Sequence, residues 1–158
     1  MNQHEQSDLD LTISRIIKAP RSEVWSAWTD PAKFEQWFVP APARCKVVDM
    51  ELRPGGSFVT ILSEDGGDFV PHINGCILAC DEQERIAYTT ALVGGWRPAE
   101  NPFITAVITF KDHPQGTEYS AQVMHRNVAD RKLHEEMGFY DGWGTVIEQL
   151  ARLAEQAG

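Results

Sequence analysis

At 158 residues, with 42% hydrophobic and 23% charged side chains, the chain is long enough to bury one core, too short for two ordinary domains, and globular in its balance. Its formal net charge of −9 argues against nucleic acid as a partner, because phosphate binding needs clustered Lys and Arg to release counterions, and it disfavours an anionic membrane surface in the same way. No apolar run of roughly 18 residues and no charged-then-apolar leader occurs, so neither a transmembrane helix nor a secretory signal is expected.

Residues 1–8 read as a polar, disordered start, and residues 9–158 as a single domain. Cys45, Cys76 and Cys80 are odd in number and lack C-x-x-C spacing, which fits reduced thiols in a cytoplasmic protein. Cys76 and Cys80, four apart in a strand, are expected on one face as small buried apolar side chains, with no support for zinc.

The first strand spans Leu9 to Lys18 and stops at Ala19-Pro20, where proline removes a ladder donor but suits a first helical turn. Val24, Trp25, Ala27 and Trp28 give the helix that follows an apolar face. Thr29-Asp30-Pro31 reads as a stop and a fresh start, with Asp30 as N-cap and Pro31 at the first helical position. The second short helix presents Phe34, Trp37 and Phe38 before Pro40 and Pro42 end it.

Strand-like runs then follow at residues 44–52, 56–63, 68–80, 84–91, 103–111 and 117–126. Arg53-Pro54-Gly55-Gly56, Glu64 to Asp68, Asp81-Glu82-Gln83 and His113 to Gly116 read as hairpin turns, which make sequential strands antiparallel. The run 68–80 is too long to stay flat, so a bulge is expected near Pro71 or Gly75. Leu92 to Pro102 is longer than a hairpin needs, the kind of loop that often covers a site.

A closing helix is expected over about Ala129 to Gln156. Tyr140, Trp143, Val146/Ile147, Leu150 and Leu153/Ala154 recur at the three-and-four spacing that lines one helical face. A curved antiparallel sheet gripping one helix can enclose a cavity, so small-molecule binding is the first functional expectation.

These residues resemble a known family. Ile16-Ile17-Lys18-Ala19-Pro20-Arg21-Ser22-Glu23-Val24-Trp25 through Asp30-Pro31, then Phe34 with Gln36-Trp37-Phe38, then Asp49 to Phe58, are similar to the opening of START-like (SRPBCC) domains. Within them the best match is the branch similar to the C-terminal domain of the activator of heat-shock-90 ATPase. Gly142-Trp143 followed by Ile147-Glu148-Gln149-Leu150 resembles the branch's closing helix, and the likeness covers about residues 9–155. It implies an α+β helix-grip fold: a curved antiparallel sheet of about seven strands, two short helices, and a long C-terminal helix across the concave face. Relatives hold lipids, hormones, polyketides or aromatic compounds between sheet and helix, some add cyclase or hydrolase chemistry, and others bind a chaperone. One fold hosts all of these, so the resemblance alone does not choose among them. Many relatives pair through sheet edges or loops, so a homodimer is admitted.

Candidates for the site are the side chains that point into the grip. Tyr119, Ala121, Val123 and His125 share one face of the last strand, and the less polar set is expected inward. His125 is a proton carrier or ligand donor, or a strand-end histidine bonded to backbone. His72 and Asn74 alternate in the long strand, facing either the cavity, where they would orient a carbonyl or hydroxyl, or solvent. Tyr88 is a similar case, with structural packing as the other reading. Trp96 in the long loop packs on the rim or touches ligand. Trp37 and Phe38 from the second helix, with Phe139, Tyr140 and Trp143 from the closing helix, have the best aromatic claim to the cavity, because the resemblance makes those elements its mouth and lid. Met137 adds an adaptable wall.

Gly138, Gly142 and Gly144 fall in the first half of the closing helix, where each costs on the order of 1 kcal/mol against alanine. A kink, close approach to the sheet, or room for a ligand would explain them. No G-x-S-x-G, P-loop, G-x-G-x-x-G or H-E-x-x-H motif is present, and His134-Glu135-Glu136 has incomplete zincin spacing. No catalytic residue, metal or cofactor is assigned. An apolar-ligand binding domain is the leading expectation. A cyclase- or hydrolase-type enzyme using the same cavity, or a chaperone-activating module, stand as alternatives.

Overall fold

The computed structural model describes residues 8–157. The expected disordered start therefore lies outside the described residues except for Asp8, whose carbonyl accepts a 2.9 Å hydrogen bond from Arg131 Nε.

Seven strands form one antiparallel sheet: β1 (Asp10–Ile17), β2 (Arg44–Met50), β3 (Ser57–Ser63), β4 (Val70–Asp81), β5 (Arg85–Thr89), β8 (Thr105–His113) and β9 (Gly116–Met124). Their spatial order is β1-β9-β8-β5-β4-β3-β2. Each hairpin turn expected between 53 and 116 joins neighbouring strands of this sheet. The loop after β5 is a small hairpin of its own, β6 (Leu92–Val93) and β7 (Arg97–Pro98). The Gly95 N–H docks it by donating to the Gly55 carbonyl at 2.8 Å.

Helix α1 (Arg21–Thr29) begins directly after Pro20. Helix α2 (Pro31–Phe34) is capped by Asp30, whose carboxylate accepts from Ala32 N at 3.0 Å with Pro31 at the first position, as the dipeptide dictates. Regular helix ends at Phe34, and the chain continues in turns tightened by bonds such as Trp37 N to Phe34 O at 3.2 Å. That tighter winding stacks Phe38 on Phe34 at 4.2 Å between centroids.

The expected single closing helix is two helices, α3 (Val128–Glu136) and α4 (Phe139–Ala157). Gly138 has φ +96, a left-handed conformation open to glycine and closed to most side chains, so the chain turns there and starts again. The break also changes the stripe. Phe139 is buried at 1% exposure and Tyr140 points out at 49%, whereas Ile147, Leu150 and Ala154 keep the expected inward face.

Strand parity holds in β9, where Thr117, Tyr119, Ala121 and Val123 are all buried. It fails twice in β4. Asn74 pairs with Val59 and Pro71 with Ile61, so two residues of β4 oppose Thr60. A second shift lies between Ile77 and Ala79, which adds a residue between Cys76 and Cys80 and removes their shared face. Cys80 packs on the main core, and Cys76 is fully buried outside it.

The core is centred on Trp28, which is 1% exposed. It lies 5.1 Å from Phe34 and 5.9 Å from Phe58 by ring centroid. Its indole N–H donates to the Tyr119 hydroxyl at 3.0 Å, and the Trp37 N–H donates to Ala27 O at 2.9 Å. Gln149 fastens α4 to the segment after α2. Its amide nitrogen donates to Trp37 O at 2.9 Å and Val39 O at 2.8 Å, and its amide oxygen accepts from Ala41 N at 2.8 Å. The far end of α4 is tied to the end of β1 by Lys18 N donating to Glu155 at 2.9 Å.

Candidate functional site

A cavity of about 1040 Å³ lies between the sheet and the two closing helices, the upper end of the size of ordinary ligand sites, about 300–1,000 Å³. The buried side chains Trp28, Trp37, Tyr88, Ile108, Tyr119 and Ile147 form its floor. Phe38, Leu62, Phe103, Ile104, Trp143 and Val146 form its sides, and the exposed residues Glu64, Glu100, Asn101 and Met137 mark the openings to solvent.

Eight of the twelve side chains singled out from the sequence line this cavity: Trp37, Phe38, His72, Asn74, Tyr88, Tyr119, Met137 and Trp143. Four do not, each for a geometric reason. Trp96 has φ +63, which turns its ring outward over Gly55. A Cβ built on Gly55 would lie 2.4 Å from the indole nitrogen, so the ring seals a turn and the rim-packing reading describes it. Phe139 stacks behind Trp143 at 5.2 Å and is buried there. Tyr140 leans on Phe139 from the solvent side. His125 sits one layer back, 6% exposed, with Nδ1 2.9 Å from Leu9 O and Nε2 2.9 Å from Nδ1 of His134.

His134, set aside in the sequence, supplies the imidazole that reaches the wall. Burial, and then the adjacent His125, lower its pKa to about 4, so the ring is neutral near neutral pH. Its neighbours are aromatic: Phe103 at 5.0 Å, Phe139 at 5.1 Å and Trp143 at 6.4 Å.

The bulge in β4 carries His72, Ile73 and Asn74 to the cavity together, which simple alternation does not allow. Thr60, 1% exposed, accepts from Ile73 N at 3.2 Å and lies 3.0 Å from His72 Nδ1. The hydroxyl proton of this buried threonine has His72 Nδ1 as its acceptor, which leaves His72 with its proton on Nε2. Its ring keeps a large open surface yet is recessed in the wall, and desolvation there lowers its pKa. Burial pushes the Tyr88 and Tyr119 phenols upward, so both stay neutral O–H groups.

Gly142 also lines the cavity, and a Cβ there would meet nothing within 4 Å. The three glycines thus separate: Gly138 makes the break, Gly142 leaves space, and a Cβ on Gly144 would meet only ordinary contact with Ile13 at 3.8 Å. Among the described residues, no three His, Cys, Asp or Glu side chains gather as a metal-binding group. Burial and then Glu35 push the Cys45 thiol up to about 12, an unreactive state.

The family described as activator of Hsp90 ATPase homolog 1-like protein matches residues 18–155. The chain belongs to this family. Its fold is that of the START-like superfamily, and solved structures agree. Protein NE0264 from Nitrosomonas europaea is 40% identical, with a TM-score of 0.89 over 96% of this chain and 97% of that one. Protein Ms6760 from Mycobacterium smegmatis is 26% identical, with a TM-score of 0.78 over 97% and 95%. An AHSA1-like protein from Aeromonas hydrophila, 16% identical with a TM-score of 0.65 over 95% and 94%, shares the fold. No curated protein matches the chain. Among the described residues, no helix is long and apolar enough to cross a membrane.

Proposed function

We propose that this AHSA1-like domain binds a small, largely apolar molecule with aromatic character in the cavity between sheet and closing helices. The observation that supports this best is the wall itself. Trp28, Trp37, Phe38, Tyr88, Phe103, Tyr119 and Trp143 surround about 1040 Å³ that side chains leave unfilled. A core closes such space when only stability is at stake, since unfilled apolar volume forfeits packing energy. Gly142 on the cavity side of α4 adds to that volume. The three free thiols, two of them buried, fit a cytoplasmic setting for this carrier.

Titration with the neutral apolar fluorophore aminoanthracene tests the proposal. Saturable one-to-one binding, accompanied by quenching of the cavity tryptophans, is the expected result. No saturable binding up to the solubility limit of the probe removes the carrier reading.

The polar groups in the wall favour a second reading, an enzyme of the cyclase or hydrolase kind, because His72 and Asn74 share the cavity with His134. Turnover of aryl esters abolished by His134→Phe would support it, and ester turnover unchanged in that variant would remove it. The chaperone reading draws on the family description and on the exposed Val128 and Leu133 of α3, Met137 just after it and Tyr140 at the start of α4. A failure to stimulate the chaperone's ATPase would discard it.

A further inference from the structure

Two imidazoles and one backbone carbonyl form a line that ends at the cavity wall. The Leu9 carbonyl accepts the backbone N–H of His125 at 3.0 Å and lies 2.9 Å from Nδ1 of the same residue. A carbonyl oxygen only accepts, so His125 carries its proton on Nδ1, and in the neutral ring Nε2 is bare. That bare nitrogen lies 2.9 Å from Nδ1 of His134. The proton between the rings therefore belongs to His134 Nδ1, and a neutral His134 is left with a bare Nε2.

One backbone oxygen thus fixes the tautomer of a side chain two steps away. Among the described residues nothing bonds to Nε2 of His134, and no fully buried side-chain nitrogen or oxygen lacks a partner. The nitrogen is therefore accessible, on a ring that forms part of the cavity wall. Of the charged groups of its own helix, Arg131 and Glu135 pair with each other at 2.9 Å and Asp130 pairs with Arg126 at 2.7 Å, while Lys132 and Glu136 are exposed. The elements packed on the ring present His125, Phe103, Phe139 and Trp143.

We infer that His134 Nε2 is a hydrogen-bond acceptor for a hydroxyl group of the ligand, so that the cavity selects phenols and related hydroxyl-bearing aromatic molecules over ethers or hydrocarbons of the same shape. This rests on the carrier reading above and adds the chemical class of the cargo. The physical basis is an unpaired acceptor in an apolar wall. A hydroxyl brings a donor to it, whereas a methyl ether of equal size strips its water and returns nothing. The low pKa of His134 keeps the ring in the accepting state near neutral pH.

The test is calorimetric titration of the full chain, near neutral pH, with naphthol, its methyl ether and naphthoate. Naphthol is expected to bind about tenfold or more tightly than the ether, the equivalent of one hydrogen bond, and more tightly than naphthoate. His134→Phe is expected to erase the preference by weakening naphthol while leaving the ether unchanged. Nitrogen NMR of histidine-labelled protein is expected to show His134 protonated on Nδ1 and bare on Nε2, a readout that needs no ligand.

Equal binding of naphthol and ether overturns this inference and leaves the carrier reading standing. Tightest binding of naphthoate overturns it too, since the relay would then hold a second proton. A bare Nδ1 on His134 overturns it directly. Binding of none of the three, with aminoanthracene also failing, overturns both readings.

Discussion

His134 shows how one side chain acquires a property that its sequence context does not display. Its ring is recessed among Phe103, Phe139 and Trp143 and touches His125, so protonation costs desolvation first and repulsion second, and its pKa falls from an ordinary 6.5 to about 4. The unfolded chain, with the ordinary value, takes up its proton at higher pH than the folded chain does. Stability from this group is therefore complete above about pH 6.5 and is lost as pH falls toward about 4. His72, also lowered by burial, acts in the same direction. Chemical-denaturation midpoints measured across that range are expected to fall with pH, and His134→Gln is expected to flatten part of the slope. A slope unchanged by the substitution would mean that the ring takes up its proton as readily in the folded chain as in the unfolded one. In the sequence His134 was legible only as a fragment of a metal motif. What gives it a role is His125, nine positions earlier at the end of a strand, and only the chain reversal between β9 and α3 brings the two together.

At the scale of elements, much was readable because local rules and tertiary packing agree. Asp30-Pro31 caps α2 by its own chemistry, and the alternation Tyr119, Ala121, Val123 puts one face of β9 inside. Where the two levels part, the reading failed. The helical period continues across Met137-Gly138, so periodicity alone gives one helix, and only the left-handed φ of Gly138 divides α3 from α4. Each bulge in β4 reverses parity, which misplaced the relation of Cys76 to Cys80 and hid the fact that Ile73 joins His72 and Asn74 at the wall. Trp96 turns away because its backbone, and not its hydrophobicity, sets its direction. The clasp made by Gln149 was visible only as a letter in a family motif. It joins α4 to the chain after α2 with three hydrogen bonds, each worth about 0.5–1.5 kcal/mol net. Gln149→Leu is expected to destabilise the domain by about 1–3 kcal/mol in denaturant titration, with faster hydrogen exchange along α4 and at residues 37–41. A loss under about 0.5 kcal/mol, the lower limit of one such bond, would show that apolar contacts alone seat the helix.

For the whole molecule, seven strands bend around α4, and the core divides into a packed half and an open half. Around Trp28, aromatic rings meet at 5–6 Å separations, edge to face with Phe34 and tilted against Phe58, while beyond Tyr88 and Tyr119 the sheet and α4 enclose space. Sequence patterning conveyed the wall and the rod but not the volume between them, because volume depends on which inward side chains are small, and Gly142 stands in sequence between two glycines, Gly138 and Gly144, that serve other ends. That residue also gives the most direct test of the account, aminoanthracene titration of the wild type beside Gly142→Leu with stability measured in parallel. A Cβ at this position meets open space, and replacing a mid-helix glycine removes a penalty of about 0.5–1 kcal/mol. The variant is expected to be at least as stable as the wild type, while its affinity for the probe falls by about tenfold or more, a loss of about 1.4 kcal/mol. A variant that folds equally well and binds the probe with unchanged affinity would contradict it, because the ligand would then lie somewhere other than the cavity beneath α4.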